Sequence, residues 1–190
     1  MRTIAIDLDD TLNNFGETLQ SAVFDHDEES GLSAEVFAEY LTRVRGQARE
    51  ESALLSTEFT YFKARIHQQC YRRAAARPDG VSFVRELKHQ GWRIVICTYR
   101  DLRRAGAVTR QWLDENNIPF DHLFMAGNKI VFCRSWQIKH LVDDDPFNIV
   151  HGGKHGVNVY YPIMAKHQGL AAEGARGFRT FGEITPWIQG

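Results

Sequence analysis

Short apolar runs alternate along this chain with stretches in which apolar residues recur every three or four positions. Residues 3 to 8 form an apolar run that ends in acids, and Arg93 to Thr98 repeats the plan, with Ile94, Val95 and Ile96 stopping at a hydroxyl. Ile138 to Val142 stops in the same way at Asp143, Asp144 and Asp145. Val157 to Tyr161 is a fourth candidate strand and Asp121 to Met125 a weaker fifth. Between them, Val81, Val84, Leu87 and Lys88 keep helical spacing before Gly91, as do Ala105, Val108, Trp112 and Leu113 before Asn116, Asn117 and Pro119. Gly91 and the Asn pair stand where helix ends want a residue that tolerates the left-handed conformation. Alternating strands and helices predict an α/β fold built on a parallel sheet.

Residues 13 to 79 break the rhythm. They hold no clear strand but carry two helical patterns, one through Val36, Phe37, Tyr40, Leu41 and Val44, the other through Phe59, Phe62, Ile66 and Cys70. The expectation is a small all-helical insertion after the first strand that returns at Pro78-Asp79-Gly80, a turn signal. The catalytic core would then be residues 1–12 and 80–190, and the insertion residues 13–79. In an open α/β sheet, loops beyond the carboxyl ends of the strands border the ligand crevice, so an insertion there would stand over the site as a cap. A peripheral bundle packed elsewhere is the alternative.

Composition narrows the class. With 190 residues, 25% charged and 43% hydrophobic, the chain can bury one full core and a small appended subdomain. A net charge of -1, with bases interleaved among acids, gives no general attraction for nucleic acid or an anionic membrane. Only local groups such as Arg100, Arg103 and Arg104 could hold an anion. The first residues reach a carboxylate-rich run too soon for a signal peptide, and no apolar stretch is long enough to span a bilayer, so a cytoplasmic protein is expected. Cys70, Cys97 and Cys133 lie far apart with no Cys-x-x-Cys, which fits a reducing compartment and small buried apolar residues better than structural zinc.

The candidate chemistry begins with Asp7-Leu8-Asp9-Asp10-Thr11. Alternation along a strand sends Asp7 and Asp9 from its end into a common space, where two anions repel and call for a bound cation or a raised pKa. A solvated acidic loop is the bland alternative. The run resembles the first motif of the haloacid dehalogenase-like superfamily, Asp-x-Asp-x-Thr after an apolar strand. The second motif, a strand ending in Thr or Ser, is met by Ile94-Val95-Ile96-Cys97-Thr98. The third, a lysine, is met by Lys129, and the fourth, an apolar strand ending in paired acids, by Leu141-Val142-Asp143-Asp144. The resemblance covers about two thirds of the chain.

It implies a three-layer, Rossmann-like α/β fold with a small all-helical cap after the first strand, and a phosphatase in which Asp7 is the nucleophile. A carboxylate of ordinary pKa about 3.9 is ionised at neutral pH without a partner base, and attack on phosphorus gives an aspartyl-phosphate. Asp9 would protonate the leaving oxygen and then deprotonate the attacking water, and an aspartate there separates phosphatases from members that cleave carbon–halogen bonds. Thr98 would donate to a phosphoryl oxygen, and Lys129 would offset charge on Asp7 and on that group. Magnesium fits Asp7 and Asp144, with the backbone carbonyl of Asp9, while Asp143 either ligates or holds a metal-bound water. Lys139, only four residues before Asp143, competes with Lys129 for the third motif. Asp145, before Pro146, reads as a helix N-cap, and Asp10 has an equally good structural reading.

Within the superfamily, the helical insertion, the Ile-Cys-Thr ending and Asp-Asp-x-Pro look most similar to the deoxyribonucleotidases. Those enzymes often have Gly or Val where this chain has Asp10 and Thr11, and a small residue and proline where it has Tyr99 and Arg100. The implied substrate is a small phosphorylated metabolite, with a (deoxy)nucleoside monophosphate as its finer form. Tyr99 and Arg100 are placed to meet it beside Thr98 and Lys129. Phe15, Phe59, Tyr61 and Phe62 could stack on a base, a contact worth about 1–3 kcal/mol, although aromatics at helical spacing are more often core. His151 and His155 read better as loop histidines than as a metal pair. The rivals are a phosphatase of another metabolite, a phosphotransferase, a non-catalytic binding module, and a nucleic-acid end-processing enzyme, which would need a basic groove. Oligomeric state is not legible in the sequence.

Overall fold

A computed structural model of the chain describes residues 2–25, 66–125 and 127–189. The first helical pattern of the insertion and the aromatics Phe59, Tyr61 and Phe62 lie outside the described residues. Among those described, the strands are β1 (Thr3–Ile6), β2 (Arg93–Thr98), β3 (His122–Met125), β4 (His140–Val142), β5 (Asn158–Pro162) and β6 (Ala175–Phe178). The helices are α1 (Phe15–Asp25), α2 (Pro78–His89), α3 (Leu102–Glu115), α4 (Lys129–Ser135), α5 (Pro146–Gly152) and α6 (Ile184–Gln189), and residues 66–73 are also helical. No helix among the described residues is long and apolar enough to cross a membrane.

The six strands form one parallel sheet in the order β3-β2-β1-β4-β5-β6. Its two faces follow from strand alternation. Ile4, Ile6, Ile94 and Ile96 face α2, α3 and α6 through Val84, Leu87, Trp112, Leu113, Ile184 and Ile188. Ala5, Val95, Cys97, Leu141 and Val159 face α4 and α5 through Ile130, Phe132, Cys133 and Ile149. A strand covered on both sides needs apolar residues at every position, which is why the core strands read as continuous apolar runs. The result is a three-layer α/β sheet.

The chain divides into two compact units, Met1–Asn14 with Ala75–Gly190, and Phe15–Ala74. Within the first, Asn13 bridges Ala76, and the Asn14 side chain accepts from the Ala75 N–H at 2.7 Å, tying together the points where the insertion leaves and returns. Within the second, Phe15 stacks on Tyr71 with ring centroids 5.1 Å apart, and His67 meets both rings edge-on.

Two local readings change. Pro78-Asp79-Gly80 is the first turn of α2 instead of a free turn, because proline suits the opening of a helix, where its missing N–H leaves no bond unmade. β6 has no counterpart among the expected strands: it is an edge strand whose Arg176 is exposed and whose Gly177 lies against Ile163 and Tyr161, so its apolar signal is weak. The left-handed helix ends are where the sequence puts them, at Gly91 (φ 78°) and Asn117 (φ 51°).

Candidate active site

In the order β3-β2-β1-β4-β5-β6 the chain winds one way from β1 through β2 and β3 and the other way through β4, β5 and β6. The carboxyl ends of β1 and β4 therefore flank the switch point, where open α/β sheets hold their ligands. Asp7 follows β1 there, and its N–H donates to the Val142 carbonyl at 2.9 Å, extending the β1–β4 pairing by one residue. The chain then turns sharply. The Leu8 carbonyl accepts from the N–H groups of Thr11, Leu12 and Asn13, and Asp10 takes a left-handed φ of 58°. Asp10 thus has a structural part in the turn, its N–H donating to Asn13 Oδ1 at 3.2 Å.

Asp143 and Asp144 follow β4. Asp143 is fully buried and heavily engaged: Oδ1 accepts from the Asp145 N–H at 2.9 Å, and Oδ2 from Asn148 Nδ2 at 3.0 Å. Lys129 opens α4, with Asn128 as its N-cap, and its ammonium lies 2.8 Å from Asp7 Oδ1 and 2.8 Å from Asp143 Oδ2. Lys139 is exposed, just before β4. Asp145 is the N-cap of α5 and accepts from the Phe147 N–H at 2.8 Å. Thr98, the last residue of β2, is fully buried, and its hydroxyl has no partner within hydrogen-bond distance among the described residues. A buried hydroxyl left unsatisfied costs about 1–3 kcal/mol, so this one is a donor suited to an acceptor brought by a ligand.

The two residues after Thr98 part company. Tyr99 is 79% exposed and lies over Gly127, where an added Cβ would come within 2.9 Å of its ring. Arg100 turns inward: Nε and Nη2 donate to the two Asp9 oxygens at 2.9 and 2.5 Å, and Nη1 donates to Thr109 Oγ1 at 3.0 Å. Its guanidinium is therefore committed within the protein, in contrast to the substrate contact that its place after Thr98 suggests.

Charge is concentrated here. Burial pushes the Asp7 carboxyl well above the usual carboxylate range, Lys129 opposes this, and the neighbouring Asp143, Asp144 and Asp9 add to it. Burial also raises Asp143, against Lys129. For Lys129, burial works downward, but Asp7 and Asp143 outweigh it and hold the ammonium protonated. The three cysteines are free and buried; the Cys133 thiol is pushed up to about 12 by burial and by Asp143, as expected of inert apolar residues.

Asp7, Asp143 and Asp144 offer carboxylate oxygens within 4.8 Å of one another. The three carboxylates meet two ammonium groups, Lys129 at Asp7 and Asp143 and Lys166 at Asp144, so acids outnumber bases in the cluster, and an all-oxygen donor set suits a hard divalent cation. The residues present fit magnesium.

Thr11, the last residue of the Asp-x-Asp-x-Thr run, donates from Oγ1 to Asp144 Oδ1 at 3.3 Å. Two further residues at this site carry no signal in the motifs. After β5, Lys166 pairs with Asp144 Oδ2, and the buried His167 ring lies between the Pro162 carbonyl, 2.8 Å from Nδ1, and the Asp144 carbonyl, 2.7 Å from Nε2. Their clue is position: both lie just past a strand that neighbours β4, at the carboxyl end of the sheet.

No protein-family model and no curated protein matches the sequence. Solved structures do. The HAD-hydrolase YfnB from Bacillus subtilis, bound to magnesium, is similar at a TM-score of 0.67 and 17% identity over 100% of this chain and 99% of that one. CbbY from Rhodobacter sphaeroides, in complex with phosphate, gives 0.66 and 18% over 97% and 96%. A predicted phosphoglycolate phosphatase from Haemophilus somnus 129pt gives 0.64 and 16% over 100% and 98%. Dehalogenases are similar as well. The chain has the α/β fold of the haloacid dehalogenase-like hydrolases.

Proposed function

We propose that this protein is a magnesium-dependent phosphomonoesterase working through an aspartyl-phosphate on Asp7. The observation that supports it best is the Lys129 ammonium, 2.8 Å from both Asp7 and Asp143 at the switch point of the sheet, with Asp144 in the same cluster. Asp7 attacks phosphorus as the bond to the leaving oxygen breaks, and Asp9 gives that oxygen a proton. Water then attacks the aspartyl-phosphate, losing a proton to Asp9, so that phosphate leaves and the Asp7 carboxylate is restored. Lys129 steadies negative charge on Asp7 and on the phosphoryl group, and Thr98 supplies its unpaired hydroxyl to a phosphoryl oxygen.

Asp7, Asp144 and the Asp9 carbonyl would hold the magnesium, with Asp143, whose oxygens already serve Lys129, Asn148 and the Asp145 N–H, as the supporting carboxylate. When bound, the metal supplies charge neutralisation that lets an anionic phosphate approach an anionic nucleophile. Asp9 also favours phosphate esters over carbon–halogen bonds, since halide departure needs no proton.

The substrate class is a small phosphorylated metabolite, with the exposed Tyr99, next to Thr98, as a proposed contact. A (deoxy)nucleoside monophosphate is the finer reading, supported by the sequence resemblance to deoxyribonucleotidases. A screen of nucleotides, sugar phosphates and short-chain phosphates with added magnesium tests both levels. Release of phosphate that Asp7→Asn abolishes is expected. Parental turnover in that variant contradicts the nucleophile assignment, and preference for a sugar phosphate over every nucleotide contradicts the nucleotidase reading.

A further inference from the structure

Arg100 is an unusual residue to bury. Its side chain is 0% exposed while that of its partner Asp9 is 24% exposed. Taking a guanidinium out of water costs several kcal/mol unless its hydrogen bonds are met. Here all three nitrogens donate, two side by side to Asp9 and the third to Thr109, itself fully buried on α3. The backbone reaches this point through a short connection: Thr98 ends β2, and Asp101 caps α3 by accepting from the Arg103 and Arg104 N–H groups. Arg100 is thus fixed by a strand end on one side and a capped helix on the other. Asp9, by contrast, is partly exposed in a turn and precedes a left-handed residue, and besides Arg100 it meets Asn13, whose Nδ2 donates to Oδ1 at 3.3 Å.

We propose that Arg100 is a positioning residue that acts through Asp9: anchored on Thr109, its planar fork fixes the Asp9 carboxyl in the orientation from which it serves the leaving oxygen. The inference rests on the reading of Asp9 as the proton donor and acceptor. In the pair both Asp9 oxygens accept from Arg100, the arrangement suited to the step after Asp9 has given its proton to the leaving oxygen and before it takes one from water. When one Asp9 oxygen carries the proton, the other still accepts from Arg100, so orientation is kept through both steps. A lysine, a point charge without a fork, would hold the charge without fixing the plane.

The experiment compares kcat/KM, which covers steps through formation of the aspartyl-phosphate, on an alkyl phosphate and on 4-nitrophenyl phosphate. The alkoxide needs a proton as it leaves; the nitrophenolate does not. Arg100→Met should lose roughly 10²-fold on the alkyl ester and no more than about threefold on the aryl ester, the cost of a misplaced catalytic group. Asp9→Asn should show the same substrate dependence, and adding Arg100→Met to it should change little, within about twofold. Arg100→Lys should recover only part of the loss. Thr109→Val, a gentler change, should give a smaller loss on the alkyl ester alone, and it carries the test if Arg100→Met does not fold by thermal unfolding.

Equal losses at Arg100 on both esters, an added loss in the Asp9→Asn background, or a Thr109→Val variant without substrate dependence would each overturn the inference while leaving Asp7 and Asp9 as proposed. Parental turnover by Asp7→Asn instead defeats the phosphatase reading. Asp9→Asn slowing both esters alike removes the proton role and the Arg100 inference with it.

Discussion

The carboxylate proposed to do the chemistry is held in a place the metal-free fold does not favour for an anion. Burial is the main cause of the raised Asp7 pKa, with Asp143, Asp144 and Asp9 adding to it and Lys129 opposing. The folded chain therefore binds the Asp7 proton more tightly than the unfolded chain, and its stability falls as pH rises above the ordinary carboxylate value of about 3.9. Asp7→Asn, neutral at every pH, escapes this loss. In the presence of chelator it should melt higher than the parent at pH 7, with the gain shrinking as pH is lowered toward about 4, where the unfolded carboxyl also protonates. Calorimetry across that range reads the sign directly, and a variant that melts lower than the parent at pH 7 contradicts it. Lys129 is the opposite case. Its ammonium is the buried counter-charge to Asp7 and Asp143, so Lys129→Met leaves two carboxylates facing each other and should cost about 3–5 kcal/mol, the usual result of breaking a buried pair from one side. Lys139→Met, at an exposed position, should stay within about 0.5 kcal/mol by chemical denaturation.

Strand ends and helix starts carry the site, and they differ in how openly the sequence shows them. β1, β2 and β4 are legible because a strand packed on both faces must be apolar throughout, and the first polar residue after the run marks its carboxyl end: Asp7, Asp143 and, within β2 itself, Thr98. Lys129 was legible by its spacing from the fourth motif, and α4 brings it to the same place. Arg100 was legible only as a basic residue near the site, because no local pattern says that its side chain folds back to Asp9 and Thr109, contacts that span 91 and nine positions. Lys166 and His167 were invisible for a similar reason: a short turn after β5 meets Asp144 only once the strands are laid side by side. The Asp145-Pro146 pair was readable because capping is local. Asp145→Ala should cost about 1 kcal/mol through loss of the bond from the Phe147 N–H, measured by denaturant unfolding. It should leave phosphatase turnover near the parental value, since the side chain points to α5 while the Asp145 N–H still donates to Asp143.

At the scale of the whole molecule, a chain of net charge -1 gathers Asp7, Asp143 and Asp144 within 4.8 Å at the switch point of its sheet. That gathering follows from topology. β1 and β4 are distant in sequence but adjacent and parallel in the sheet, so residues that merely end two strands are forced together on one side. The fold then gathers acids whose repulsion the proposed magnesium would relieve, and anything that binds the folded state and not the unfolded one raises the melting temperature by mass action. Magnesium should therefore stabilise the chelator-treated protein by about 2.7 kcal/mol at a concentration 100-fold above its dissociation constant, without substrate present. Asp144→Asn should blunt this shift by removing a proposed ligand whose neighbours Thr11 and Lys166 remain. A melting temperature that does not respond to magnesium, in a parent protein whose phosphatase activity survives exhaustive chelation, would mean that Lys129 and Lys166 alone balance the cluster. The metal would then have no place in the mechanism.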